Sequence, residues 1–360
     1  MFSHKQLQLS LFEDNSFMDI KFPKPQYLGA KYIHKDWITQ YIPDNANVVL
    51  DGFSGSQSIA FRCKQMGKSV ITNDFLRFNY EIGKALVENN SETLTKHDIN
   101  ILFSENSNPD KYNLMETLFT DLFFVRDETR FLDAFRSNIH LLENEYKQSL
   151  AFAVINRAMT RKVTMGHFAH TQALVYAADP QRIKRNRSLI RSIKEIFTDL
   201  VVEYNDAVFD NGEKCKSYNN DILDLLPILE GVDLVYFDPP YCDSHADYQG
   251  FYHLLETFTN YWKDKEFVNG TKRYSPKLHS GFETKKEIIQ SFQKLFSSSI
   301  HIPHWIISYN DRSFPDINTL IDLIKPYRDV KVERKIYQNG RGGKGSVAGS
   351  SEIILICNPK

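Results

Sequence analysis

Residues 234 to 243 read LVYFDPPYCD, an apolar run that ends in Asp238-Pro239-Pro240-Tyr241. Each proline removes a backbone donor and fixes φ, so the chain must leave its strand there as a stiff, extended turn with unpaired carbonyls. An acid beside rigid carbonyls offers hydrogen-bond acceptors to a ligand. At average residue usage this tetrapeptide arises by chance in roughly one chain in a thousand of this length, which makes a mere strand stop a poor explanation. A second group follows the apolar stretch Val48 to Leu50. It is Asp51-Gly52-Phe53-Ser54-Gly55-Ser56, whose glycines allow close backbone approach to a ligand at a helix start. Asp74 stands beyond the next apolar stretch, at about the 20-residue spacing at which an acid meets a ribose diol. The turn lacks a G-x-G-x-x-G pattern, and an acid at its start would repel a pyrophosphate while suiting a cationic or amine-bearing ligand. Asn220-Asp221-Ile222 and Tyr27-Leu28-Gly29-Ala30-Lys31 complete the set. Plainer readings exist for several of these: Asp-Gly after a strand is a common connection, Asp221 serves as an N-cap, and a lysine near a helix start is usually solvated.

The elements that must carry these residues follow from the pattern around them. NVVLDGFSGSQSIAFRCKQMGKSVITNDF reads as strand, glycine turn, helix and second strand, with a further helix over about 78–88. SYNNDILDLLPILEGVDLVYFDPPY supplies a helix and then a strand. A helix near 283–297, the strand HWIISY, a helix near 315–327, and strands around 330–337 and 352–357 complete the core, the last two flanking the glycine-rich loop NGRGGKGSVAGS. This alternation predicts an α/β protein with a doubly wound, mostly parallel sheet and an antiparallel terminal strand. Residues 90–205 read as a mainly helical insert between two core segments, 1–89 and 206–360. In such a sheet ligands sit beyond the carboxyl ends of the strands, where Asp51, Asp74 and Asp238 fall.

Together, Tyr27 to Lys31, Asp51 to Ser56, Asp74, Asn220 to Ile222, Asp238 to Tyr241 and the later segments FYHLLETF and IISYND resemble the Dam-like class of DNA adenine-N6 methyltransferases. One departure is Gln57, where many relatives carry a glycine. The resemblance implies a Rossmann-like methyltransferase domain over 1–89 and 206–360, a DNA target-recognition domain over 90–205, and S-adenosyl-L-methionine as cofactor. It makes the Asp238 carboxylate and the Pro239 carbonyl the acceptors for both hydrogens of an exocyclic amine, kept rigid by Pro239 and Pro240. Tyr241 would stack on a base taken out of the duplex. Lys31 and Tyr27 would hold the methionine end, Asp51 its amino group, Asp74 the ribose hydroxyls, and Asp221 with Ile222 the adenine, while Phe53, Gly55 and Ser56 line the pocket. The activity implied is site-specific methylation of adenine N6 in double-stranded DNA, as the modification partner of a restriction endonuclease. Alternatives are cytosine-N4 methylation, disfavoured by Asp at 238; a non-catalytic DNA-binding module, disfavoured by the intact turn; and a nicotinamide-linked oxidoreductase, disfavoured by the missing glycines.

The chain as a whole is nearly neutral, with 44 Lys and Arg against 45 Asp and Glu, so attraction to a polyanion must come from local clusters. From Arg157 to Lys194 there are nine Lys or Arg residues and one acid, Asp179. Arg157, Arg161, Lys162, Arg182, Lys184, Arg185 and Arg187 are the DNA-contact candidates there. TKRYSPK adds Lys272 and Arg273, although an ordinary polar loop explains that stretch equally well. The four cysteines are widely separated, which predicts free thiols in a reducing, cytoplasmic setting. The eleven histidines show no metal-binding spacing, so no metal is expected. The N-terminal stretch has no apolar signal core, and no run of about eighteen apolar residues occurs, so neither export nor a membrane is expected.

Overall fold

In a computed structural model the chain is described over residues 17–240, 247–336 and 351–360. Tyr241, Cys242 and the glycine-rich loop lie outside the described residues. Nine strands occur among them: β1 (Val48–Asp51), β2 (Ser69–Asn73), β3 (Lys216–Tyr218), β4 (Leu234–Phe237), β5 (Glu266–Val268), β6 (Arg273–Ser275), β7 (His304–Asn310), β8 (Asp329–Ile336) and β9 (Ser351–Asn358). Seven form one sheet in the order β3-β2-β1-β4-β7-β9-β8, and β5 with β6 makes a separate antiparallel hairpin. From β3 to β7 neighbours run parallel, whereas β9 runs antiparallel to both β7 and β8.

Side chains of a strand alternate between its two faces, and here both faces are apolar and covered. Leu50, Val235, Phe237, Trp305, Ile307 and Leu355 pack on one side, against α7 (Ile288–Ser298) and α8 (Ile317–Ile324) among others. Val49, Leu234, Tyr236, Ile306 and Ile354 pack on the other, with Ile59, Ala60 and Cys63 of α1 (Ser58–Gln65). The result is a mixed α/β fold with a central sheet. A third, aromatic-rich core joins α2 (Arg77–Gly83), α3 (Arg126–Asn138), α4 (Glu145–Arg161), α5 (Ile193–Asn205) and α6 (Tyr248–Asn260). Helices from the 90–205 segment therefore share one interior with α2 and α6, which flank that segment in sequence.

Several element bounds differ from the sequence reading. The short edge strand β3 precedes the Asp221 helix; its pattern, one fully buried residue in three, is too brief for periodicity to reveal. The helix expected over 78–88 divides into α2 and a π-helix, Lys84–Glu88. Glu88 ends that segment by accepting from Ser217 N–H of β3 at 2.8 Å. The helix expected from 283 begins instead at Ile288, because Phe282 and Glu283 are drawn into the lining of a cleft. Helix α8 starts after Asp316, whose carboxylate caps it by accepting from Asn318 and Thr319 N–H. Cys63, Cys215 and Cys357 are free and buried. No helix of the described residues is long and apolar enough to cross a membrane.

Candidate active site

The strand order reverses between β1 and β4, and side chains beyond the carboxyl ends of that adjacent pair converge. Asp51 ends β1 directly opposite Tyr236 of β4, and Gly52 N–H donates to the Tyr236 carbonyl at 3.0 Å. Asp238 follows immediately after β4. Between them opens a cleft of about 880 Å³, including its open mouth. All nine residues expected at a cofactor line it: Tyr27, Lys31, Asp51, Phe53, Gly55, Ser56, Asp74, Asp221 and Ile222. Asp238 and Pro240 line it as well, while Pro239 is buried beside them.

The glycine turn is held by its neighbours. Ser54 Oγ donates to the carbonyls of Asp51 and Asn73, and Asn73 Nδ2 donates to those of Gly52 and Asn220. Asp74 accepts from Gly55 N–H at 2.8 Å and from Leu76 N–H at 2.9 Å. Burial outweighs these bonds and pushes the Asp74 carboxyl up to about 6. Gly55 has φ of +45°, and a Cβ there would come within 3.2 Å of the Tyr27 ring, so glycine serves both the backbone and the close approach. Asp221 caps its short helix by accepting from Leu223 N–H at 2.9 Å, and still faces the cleft.

The cleft's charges are unequal. Asp51 Oδ2 accepts from Ala60 N–H at 3.2 Å, but Oδ1 is buried without a hydrogen-bond partner among the described residues. Burial, reinforced by the nearby Asp238 carboxylate, holds the Asp51 carboxyl well above the usual range. Lys31 is buried and paired twice, to Asp238 Oδ1 at 3.2 Å and to Glu352 Oε1 at 3.1 Å. Burial alone would lower its ammonium; the two carboxylates reverse that and hold it well above an ordinary lysine. The expectation that Lys31 receives a ligand carboxylate thus meets a lysine already engaged by two acids. Among the described residues the cleft sets one cation against Asp51, Asp74, Asp221, Asp238 and Glu283, which suits a ligand carrying positive charge.

Residues 27–310 match the family model of the D12 class N6 adenine-specific DNA methyltransferases. The chain belongs to that family. It is similar to the type II methyltransferase M2.HphI of Haemophilus parahaemolyticus, 35% identical over 310 residues, which covers 84% of this chain and 88% of the relative. It is also similar to the modification methylase StsI of Streptococcus sanguinis, 24% identical over 84% of this chain and 46% of the relative. The type II methyltransferase M.FokI of Planomicrobium okeanokoites is 24% identical over 87% of this chain and 50% of the relative.

Aromatic residues to which the sequence reading gave no role, Tyr248, Phe282 and the Tyr252 of FYHLLETF, add to the site of this methyltransferase family member. Tyr27 stacks on Tyr252 at 4.7 Å and on Tyr248 at 5.6 Å between ring centroids, and Tyr252 Oη accepts from Leu28 N–H at 2.8 Å. Tyr248 and Tyr252 stand one helical turn apart on α6, a spacing visible in sequence that could have marked them as a pair. Phe282 meets Phe53 edge-on at 5.2 Å. Glu352 could be read only as an acid at the head of an otherwise apolar strand.

The cationic candidates separate. Arg157 donates to Gln26 Oε1 at 2.8 Å and to the Lys24 carbonyl at 3.1 Å, tying the segment before Tyr27 to α4. Lys162 is half-buried, paired with Glu128 at 3.0 Å and donating to the Arg191 carbonyl. Arg273 pairs with Asp247 at 2.9 Å, and Arg182 pairs with Asp179 while lying over the Tyr176 ring at 3.9 Å. Lys184, Arg185, Arg187 and Lys272 are exposed and form no ion pair among the described residues; Arg161 is half-buried. Outward charge thus concentrates in residues 184–187 and at the tip of the β5–β6 hairpin. No group of His, Cys, Asp and Glu suited to a metal occurs among the described residues.

Proposed function

We propose that this chain is a Dam-like DNA methyltransferase that transfers a methyl group from S-adenosyl-L-methionine to adenine N6 in double-stranded DNA, at a specific sequence. The observation that carries the reading is the juxtaposition, in one cleft, of Asp238 beyond β4 and the orphaned, buried Asp51 oxygen beyond β1. The first is a rigid acceptor for an amine; the second calls for a cationic donor. The strand order, with β9 antiparallel between β7 and β8, supports a Rossmann-like methyltransferase core. Residues 90–205 and their outward cations would serve target recognition.

The cleft fits the cofactor on this chain's own groups. Asp51 Oδ1 would take the amino group of the methionine moiety. Asp74 spends part of its acceptor capacity on the Gly55 turn and would present the remainder to ribose hydroxyls. Asp221, Ile222 and Phe53 would enclose the adenine. Lys31 would brace Asp238 rather than hold the methionine carboxylate. When bound, S-adenosyl-L-methionine supplies an electrophilic methyl group on a sulfonium.

The protein's task at the reacting centre is orientation. An exocyclic amine on an aromatic ring is a weak nucleophile because its lone pair is delocalised. The Asp238 carboxylate and the Pro239 carbonyl would each accept one amine hydrogen, drawing nitrogen towards tetrahedral geometry and freeing the lone pair. Prolines 239 and 240 keep those acceptors fixed, so little reorganisation is needed in the transition state. Tyr241 would stack on the flipped base. The names of the relatives support a place in a restriction-modification system; its partner there would be a cognate endonuclease acting at the same site. Expression in a host lacking DNA methylation, followed by nucleoside analysis, tests the reading. N6-methyladenine is expected; N4-methylcytosine, or no methylated base, overturns it.

A further inference from the structure

Glu352 comes from the far end of the chain, yet it reaches the reacting edge of the sheet. Strand β9 runs antiparallel to β7, so its first residues lie beside the last residue of β7, with Glu352 in register with Asn310. The Glu352 side chain is only 6% exposed and does not line the cleft. It meets Lys31, which also meets Asp238 and lies 3.4 Å from the Gly29 carbonyl. An ammonium has three donors. Around it stand groups from three parts of the chain: the N-terminal segment, the turn after β4, and β9.

We propose that Glu352 is a positioning residue for methyl transfer, acting through Lys31 on Asp238. Its first effect is geometric. A lysine paired to Asp238 alone could settle across the carboxylate and compete for the lone pairs that an amine substrate needs. Glu352, from β9, gives the ammonium a second carboxylate at 3.1 Å, so that Asp238 is not its sole anionic partner. Its second effect is electrostatic. Two carboxylates and one ammonium leave the triad one negative charge, and the amine nitrogen becomes positive as its bond to the methyl carbon forms and the carbon–sulfur bond breaks to leave a neutral thioether, until the nitrogen releases a proton to solvent. A net-negative, fixed environment favours that change, whereas a neutral one does not. The inference rests on the reading of Asp238 as the amine acceptor.

The test uses full-length protein on duplex DNA that carries the recognition sequence, comparing E352Q and E352D with the unaltered chain. Gln keeps the shape and removes the charge; Asp keeps the charge on a shorter arm. For E352Q, kcat is expected to fall about tenfold or more, with KM for S-adenosyl-L-methionine and Tm nearly unchanged. E352D should recover part of the lost rate. Unaltered kcat in E352Q overturns the proposal, and so does equal impairment of both variants accompanied by lowered Tm, which marks a role in packing alone. If E352Q does not fold, E352D decides: a several-fold loss of kcat at constant KM supports the proposal, and full activity overturns it. An unaltered chain that methylates no adenine would instead refute the functional reading on which this one stands.

Discussion

Charge is handled in opposite ways in the cleft and in the basic stretch from Arg157 to Lys194. In the cleft, Lys31, Asp51 and Asp74 are buried, and each is tied to a specific neighbour on another element. In the basic stretch the cations divide: Arg157 and Lys162 bond inward, while Lys184, Arg185 and Arg187 point out. A buried charge must find partners or lose its charge, so its position is dictated by the fold. An exposed charge carries no such requirement. The difference teaches that abundance of Lys and Arg does not measure a surface field until the inward-facing members are removed from the count.

Asp238→Ala should break the cleft side hardest. Turnover is expected to fall about a hundred- to a thousandfold, the scale for losing one preorganised group at a reacting centre. Lys31 keeps Glu352 as a partner, so the variant should fold and bind DNA. Single-turnover methylation measures it, and near-normal turnover would remove Asp238 from the reaction.

Glu256 extends the comparison to a buried charge outside both regions, because this α6 carboxylate accepts from Arg77 and Phe78 N–H at the start of α2. Burial outweighs those bonds and pushes its carboxyl up to about 7 from an ordinary 4.5. Below about 4.5 the group is protonated in folded and unfolded chains alike. As pH rises towards 7 the unfolded chain ionises first, so this contribution to stability is lost across that window, by no more than roughly 3 kcal/mol. Denaturant titrations from pH 5 to 8 should show E256Q with a flatter profile than the unaltered chain. Identical slopes would mean that Glu256 is ionised in the fold throughout.

Asp51→Asn should weaken binding of S-adenosyl-L-methionine by about 1.5–3 kcal/mol, the worth of a hydrogen bond to a charged group. DNA affinity without cofactor should hold. Calorimetry showing unchanged cofactor affinity would place the cation elsewhere in the cleft.

What the sequence revealed follows the same division. Residues that end strands were legible, because a strand end followed by Gly or Pro has few structural solutions: Asp51, Asp74 and Asp238 reach one cleft from three turns. Helix partners were not. Tyr248 and Tyr252 meet Tyr27 only because α6 folds back across the N-terminal segment, a contact between residues more than two hundred positions apart. Glu352 needed the antiparallel return of β9, which depends on sheet order rather than on local pattern. Lys31 was read as a cation placed to hold a ligand carboxylate; it is buried between two acids that could not be inferred, since a side chain's type does not name the carboxylates that will surround it.

The smallest energetic effect per residue, and the sharpest contrast, comes from the cations themselves. Lys184, Arg185 and Arg187 follow one another around the end of the short helix Pro180–Arg185 and the 3-10 turn after it, so they do not share one helical face. If two of them meet phosphates, replacing all three by Gln should lower the salt slope of DNA binding by about two units, since each contact contributes nearly one. Stability should stay within about 0.5 kcal/mol, because none of the three forms an ion pair among the described residues. Arg157→Gln should do the reverse. It removes the bonds to Gln26 and Lys24, costing about 1–3 kcal/mol of stability, and leaves the salt slope unchanged. DNA affinity across a salt series, run beside thermal melts for both variants, reads the two effects separately. Exchange of the two outcomes would show that burial does not sort these cations, and that the inward arginine is the one that meets the duplex.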